Sequence, residues 1–260
     1  MPYITVGGER LFYAPVKGDL TGRRNLILVH GAGGDHTHWP AELRRMPDVN
    51  VYPLDLPAHG RSAGRGRTRV DECADTIHLF VQAVGLERAT VAGHSMGGAI
   101  ALTLALRRPD WLVGVALIGS GARLRVHPLI LDGLSGAAAS RKSFEAAIET
   151  ICQWQYGPAV SPQLARKGRR QLLSVNPAVI HGDYLACNQF DVMDRVGDIQ
   201  LPVLIITGSA DQMTPPKYGQ YLHERIAGSQ LVEIKDGGHM MALEKPLEVS
   251  RAVSRFLEAL

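Results

Sequence analysis

The sequence predicts an α/β protein: a mostly parallel eight-stranded sheet with helices on both faces and an inserted helical cap. Three observations carry this. Eight apolar, β-branched runs of strand length recur along the 260 residues. From the third run onward most are separated by stretches with helical spacing, and strands that are almost continuously apolar belong to parallel sheets covered on both sides. Between Gly119 and Leu201 no convincing strand occurs, and that gap is longer than a strand-to-helix connection needs.

Taken in order, "YITV" from Tyr3 and "RLFYAPV" from Arg10 to Val16 have no helix between them and read as an antiparallel hairpin at the edge. "NLILVH" from Asn25 and "VNVYPLD" from Val49 are the first of the parallel strands. Val70, Ala74, Ile77, Val81 and Val84 then fall three or four apart, which places them on one helix face. "RATVAGH" from Arg88 runs into a helix rich in small residues, and "LVGVALIG" ends at Gly119. The long gap holds helical pieces such as "SRKSFEAAIETICQWQ", with Pro128, Pro158, Pro162 and Pro177 expected to stop them. The expected division is a core of residues 1–121 and 192–260 with a cap of residues 122–191. "LPVLIITG" and "QLVEIK" supply the last strands before a C-terminal helix.

Composition excludes several classes. An apolar fraction of 45% and a charged fraction of 20% suit a soluble globular chain, and no apolar run approaches the roughly 20 residues of a membrane span. The opening "MPYITVGGER" lacks the basic start and apolar stretch of a secretion signal, so a cytoplasmic location is expected. Cys73, Cys152 and Cys187 are odd in number and far apart, which argues against a disulfide framework or a zinc knuckle. A net charge of +3 does not call for nucleic acid, and the basic cluster from Gly60 to Arg69 is glycine-rich without aromatics, as in a solvated loop. None of these features specifies an oligomeric state.

The chemistry centres on "GHSMGG". A strand precedes Ser95 and a helix follows it, the arrangement in which a serine is held in a strained turn and Gly93 and Gly97 keep Cβ atoms out of the way. A serine hydroxyl is a weak nucleophile, so a base and a group to orient that base are needed. Among ten histidines, His239 in "KDGGHMMALEKP" stands in a loop after the last strand, where open α/β sheets place their chemistry. His30 and His94 adjoin strands and read as hydrogen-bonded structural residues. His36 and His38 form an H-x-H pair with no third ligand evident, so no metal site is expected.

Asp211, in "GSADQMTP", is the candidate orienting acid, although an Asp there could instead cap a turn. Asp236 competes for the role but shares the loop of His239, which makes the far ring nitrogen hard to reach. Attack on an ester carbonyl creates an oxyanion, and losing one backbone donor to it costs about 3 to 4 kcal/mol. The N–H of Met96, at the start of the helix after Ser95, is one candidate donor, with the helix dipole added to it. The glycine cluster "HGAGG", His30 to Gly34, should supply another. This chemistry requires no cofactor and takes a small-molecule ester as its partner.

In this order, "HGAGG", "DLPAHGRS", "GHSMGG", "GSADQMTP" and "GGHM" resemble the α/β-hydrolase family over nearly the whole chain, in its Ser-His-Asp carboxylesterase and monoacylglycerol-lipase-like branch. The resemblance implies the triad Ser95, Asp211 and His239, the second oxyanion donor at Ala32 with Gly33 the nearest alternative, and a helical lid over an acyl pocket. Two departures stand out. Ala58 occupies a position that is usually glycine, so altered loop geometry is expected. Ser95 stands where epoxide hydrolases and haloalkane dehalogenases have a carboxylate, which disfavours both.

The expected activity is hydrolysis of small to medium apolar acyl or aryl esters through an acyl-enzyme. A lactone, a thioester, a C–C bond between carbonyls, perhydrolysis or a silent ligand receptor on the same scaffold are the alternatives. Cap positions Leu129, Leu134 and Trp154, together with Trp39 after "HGAGG", are candidate pocket residues, although such apolar stripes are more often core.

Overall fold

A computed structural model describes residues 2–14, 24–136 and 140–260. Six parallel strands form the central sheet: β3 (Arg24–Val29), β4 (Val49–Leu54), β5 (Ala89–His94), β6 (Leu112–Ile118), β7 (Val203–Gly208) and β8 (Gln230–Ile234), in the spatial order β4-β3-β5-β6-β7-β8. Successive side chains on a strand point to opposite faces. Ile27, Val29, Val91, Val115 and Ile205 therefore join one apolar cluster while Leu26, Leu28, Ala92, Ala116 and Ile206 join another. Both faces are covered. Helices α2 (Val70–Val84), α3 (Met96–Arg107) and α8 (Lys217–Arg225) contribute to the first cluster. The second takes side chains from α1 (Ala41–Arg44), α9 (Met241–Glu244) and α10 (Pro246–Glu258).

Among the described residues the first two strands, β1 (Tyr3–Val6) and β2 (Glu9–Phe12), pair only with each other as an antiparallel hairpin, so the eight strands divide into a six-stranded sheet and a separate pair. Edge strand β4 carries Pro53, which has no N–H to offer a further strand. The hairpin is joined to it by a bridge between Tyr13 and Leu54 and by the flanking bonds Asp55 N–H to Phe12 O (3.0 Å) and Ala14 N–H to Pro53 O (3.0 Å). Pro15 and Val16, expected in the second strand, lie outside the described residues.

Among the described residues, four α-helices lie between β6 and β7: α4 (Pro128–Ser135), α5 (Arg141–Trp154), α6 (Pro162–Ser174) and α7 (Pro177–Gln189). Three of the prolines expected to stop helices instead begin them. Pro128, Pro162 and Pro177 each sit in the first turn, where a missing N–H has no intrahelical partner to lose, directly after the capping residues His127, Ser161 and Asn176. Ile130, Leu134, Phe144, Ile148, Leu172 and Ile180 give these helices an apolar cluster of their own, against which Ala32 and Met213 of the core pack. Residues 137–139, inside the expected cap, are not among the described ones.

Candidate active site

Parallel strands share one direction, so the loops that follow them gather at one end of the sheet. Ser95 follows β5, Asp211 follows β7 and His239 follows β8. Ser95 has φ 54° and ψ −115°, a strained conformation for a residue with a Cβ. The surroundings hold it there: its N–H donates to Ile118 O (2.9 Å), and its carbonyl accepts from Gly98 N–H (2.9 Å) and Ser120 Oγ (2.8 Å).

The His239 imidazole donates from Nδ1 to Asp211 Oδ2 at 2.9 Å, and both residues are buried. The same carboxylate accepts from Met213 N–H, Thr214 N–H and Thr214 Oγ1, each at 2.8 Å. Burial pushes the Asp211 carboxyl up, but His239 and the Thr214 donors outweigh it and hold it below the usual range. Asp236, the rival acid, sits exposed at φ 57°, its N–H bonded to Ser209 Oγ. With Nδ1 committed to the carboxylate, Nε2 is the basic nitrogen of the neutral ring. Thr214 was missed in the sequence; its place three residues after Asp211 in "DQMTP" was the available signal.

His30 and His94 are buried and hydrogen-bonded, as read from the sequence. His30 Nδ1 donates to Gly31 O (2.8 Å) and Nε2 accepts from Leu56 N–H (3.1 Å), whereas His94 Nε2 donates to His239 O (2.8 Å). Burial pushes His30 down to about 4 and His94 to about 3, with neighbouring histidines adding to both shifts. A histidine kept neutral by the fold takes up its proton more readily when unfolded. Stability from these two is thus full above about pH 6.5 and lost as pH falls through their folded values. The urea midpoint should decline from about pH 6.5 towards pH 4, and His30→Gln should flatten part of that slope; a flat wild-type profile would contradict it.

Two candidate oxyanion loops face this site. Gly33 N–H donates to Asp183 Oδ2 at 2.7 Å and is therefore engaged. Among the described residues the N–H groups of Ala32 and of Met96, the first residue of α3, meet no protein acceptor. Ala58 has φ 66°, so the "DLPAHGRS" turn keeps a left-handed residue at a cost of about 1 kcal/mol. His36 reaches Asp55 through both its N–H (2.6 Å) and its Nδ1 (2.9 Å), while Asp35 accepts from Thr37 N–H (2.7 Å). These three side chains approach to within 4.8 Å of one another, yet their oxygens already serve the turn.

Ser95 and His239 line one cavity of about 820 Å³ between the sheet end and the helical insertion, walled by Ile130, Leu131, Trp154, Tyr184 and Met213. Of the four pocket candidates named from sequence, only Trp154 lies on this wall. Trp39 is 1% exposed and packs in the cluster that α10 covers, because the chain turns beneath the sheet after the glycine loop. Leu134 is buried among the insertion's own side chains, and Leu129 is 63% exposed on the outer side of α4. One helix face cannot serve both core and cavity, and amphipathic spacing does not say which.

The model of a family described as the alpha/beta hydrolase family matches residues 26–252. A pimeloyl-[acyl-carrier protein] methyl ester esterase of Neisseria meningitidis serogroup B (strain H44/76) is 30% identical over 232 residues, covering 83% of this chain and 86% of that protein. A thermophilic esterase of known structure shares 33% identity with a TM-score of 0.84, over 99% of this chain and 96% of its own. The enol-lactonase from Burkholderia xenovorans LB400 superposes with a TM-score of 0.91 over 99% of this chain and 100% of its own at 22% identity, a likeness of fold. The sheet order, the turn at Ser95 and the family match agree, and the chain belongs to the alpha/beta hydrolase family.

Proposed function

We propose that the protein is a serine hydrolase that cleaves carboxylic esters of small to medium apolar acyl or aryl groups through an acyl-enzyme. The observation that carries this is the buried Asp211–His239 pair opening, with the strained Ser95, onto one cavity. His239 Nε2 takes the Ser95 proton as Oγ attacks the ester carbonyl, and the N–H groups of Ala32 and Met96 receive the oxyanion. His239 then passes that proton to the leaving alcohol. A water activated by the same nitrogen cleaves the acyl-enzyme and releases the acid, and the proton returns to Ser95. Asp211 fixes the tautomer and stabilises the imidazolium.

The cavity supports the substrate class, since its volume falls within the range of small-molecule sites and most of its wall is apolar. Residues 122–191 act as the cap over the acyl group. The likeness to a methyl ester esterase supports an ester over a C–C bond.

Two measurements test this together. A fluorophosphonate probe should label one serine, identified by peptide mass as Ser95, and p-nitrophenyl esters of increasing chain length should be turned over. A wild-type protein that neither labels nor turns over any ester, while still binding apolar ligands, would make it a receptor.

A further inference from the structure

The cap helices reach past the cavity and grip the loop that carries Ala32. Residues 31–34 form a tight turn closed by Gly34 N–H to Gly31 O at 3.0 Å, with Gly33 at φ +63°. A positive φ at the third residue is what a type II turn requires, and the turn converts to type I when its central peptide flips. That peptide, between Ala32 and Gly33, is held by the cap. Its N–H donates to Asp183 Oδ2 of α7 at 2.7 Å, and the Gly33 carbonyl accepts from Gln171 Nε2 of α6 at 3.1 Å. Gln171 is itself fixed, because its Oε1 accepts from His38 Nε2 at 2.6 Å. A Cβ on Gly33 would stand 2.8 Å from Ile180 Cδ1, so α7 also packs directly on the turn.

Asp183 is 2% exposed, and an isolated carboxylate that deeply buried would be costly. His59 meets the charge: its Nε2 lies 2.8 Å from the same Oδ2, and its Nδ1 faces Pro57 O at 3.0 Å. Both ring nitrogens face acceptors, which favours the doubly protonated ring. Burial lowers the His59 pKa, but Asp183 and the Pro57 carbonyl outweigh it and the net shift is upward. Were the central peptide to flip, the Ala32 carbonyl would face the Asp183 carboxylate, and the two oxygens would repel.

We propose that Asp183, with Gln171 on the other side of Gly33, is a positioning residue that fixes turn 31–34 and thereby keeps Ala32, whose N–H has no protein acceptor among the described residues, in place in the small recess it lines with Ser95 and His239. The oxyanion site is then complete only with the cap seated, and Asp183 and Gln171 take part in transition-state stabilisation without touching substrate. This rests on the ester-hydrolase reading for its kinetic consequence, not for its structural one.

Three variants test it: Asp183→Ala, Asp183→Asn, which keeps one acceptor oxygen, and Gln171→Ala, whose site is less buried and which should fold in any case. Hydrogen exchange of the peptide spanning residues 30–36 should speed up at least about tenfold in Asp183→Ala and less in Asp183→Asn. With a p-nitrophenyl ester, Asp183→Ala should lose about 10²-fold in kcat while KM shifts by less than about threefold, as for loss of an oxyanion donor. Asp183→Asn should recover part of that loss. A lid or pocket-wall role would instead move KM. A folded Asp183→Ala with wild-type exchange at 30–36, or with wild-type kcat, overturns the proposal. If Asp183→Ala does not fold, unchanged exchange in both Asp183→Asn and Gln171→Ala overturns it. If wild type turns over no ester, the functional reading fails and the exchange comparison alone decides the clamp.

Discussion

Replacing Ser95 by alanine should lower kcat towards p-nitrophenyl esters by about 10⁴-fold or more, and adding His239→Ala should remove almost nothing further. Groups that act on one proton are non-additive: without the hydroxyl oxygen there is nothing for Nε2 to deprotonate, and without Nε2 the hydroxyl stays a weak nucleophile. Asp211→Asn belongs to the same series. It leaves a neutral amide against Nδ1, where the carboxylate now accepts at 2.9 Å, so the ring loses its preferred tautomer and its counter-charge. Steady-state kinetics on the three single variants and the Ser95/His239 double variant provide the check. Additive losses would mean that the two residues work separately, and an active Ser95→Ala would remove the serine from the mechanism.

The second large effect is on stability. A Cβ at Gly93 would lie 2.0 Å from Gly97 O, and one at Gly97 would lie 2.1 Å from Val29 O. In both cases the obstacle is backbone, which cannot rotate away as a side chain can. Strand β5, helix α3 and strand β3 meet at this point, so a methyl group there must separate a helix from the sheet. Gly93→Ala and Gly97→Ala should each cost at least about 3 kcal/mol. Gly85 supplies the control. It ends α2 at φ +77° with open space where a Cβ would stand, so Gly85→Ala should cost only the backbone strain, about 1 kcal/mol. Urea denaturation of the three variants decides between them; equal midpoints would show that close approach at the turn is not what requires glycine.

Much of this arrangement was legible because it is written locally. The α2 boundaries, Val70 to Val84, follow from apolar spacing and a glycine in the αL position at the end. Each of the eight runs holds a strand among the described residues, and β4, β5 and β7 are buried along their whole length, which requires an apolar sequence of a parallel strand. What local pattern left open was pairing. Only the assembled sheet shows that β4 ends it and that, among the described residues, the hairpin's backbone meets β4 through the Tyr13–Leu54 bridge and two flanking bonds. The prolines of the insertion are a similar case: a proline both breaks a helix interior and starts a helix well, and the capping residue before it decides which.

The sequence by itself determined the strand runs, helix α2, the tight turn at Ser95, and the order in which serine, acid and histidine occur, because each depends on neighbours within a few residues. Only the tertiary structure decided that Asp211 and not Asp236 meets the imidazole, that Trp39 belongs to the core, and that Asp183 takes the Gly33 N–H from 150 residues away. Those outcomes depend on where hydrogen-bond donors and apolar faces end up after the sheet has closed, and a donor's partner is chosen by distance in space, which spacing along the chain does not encode.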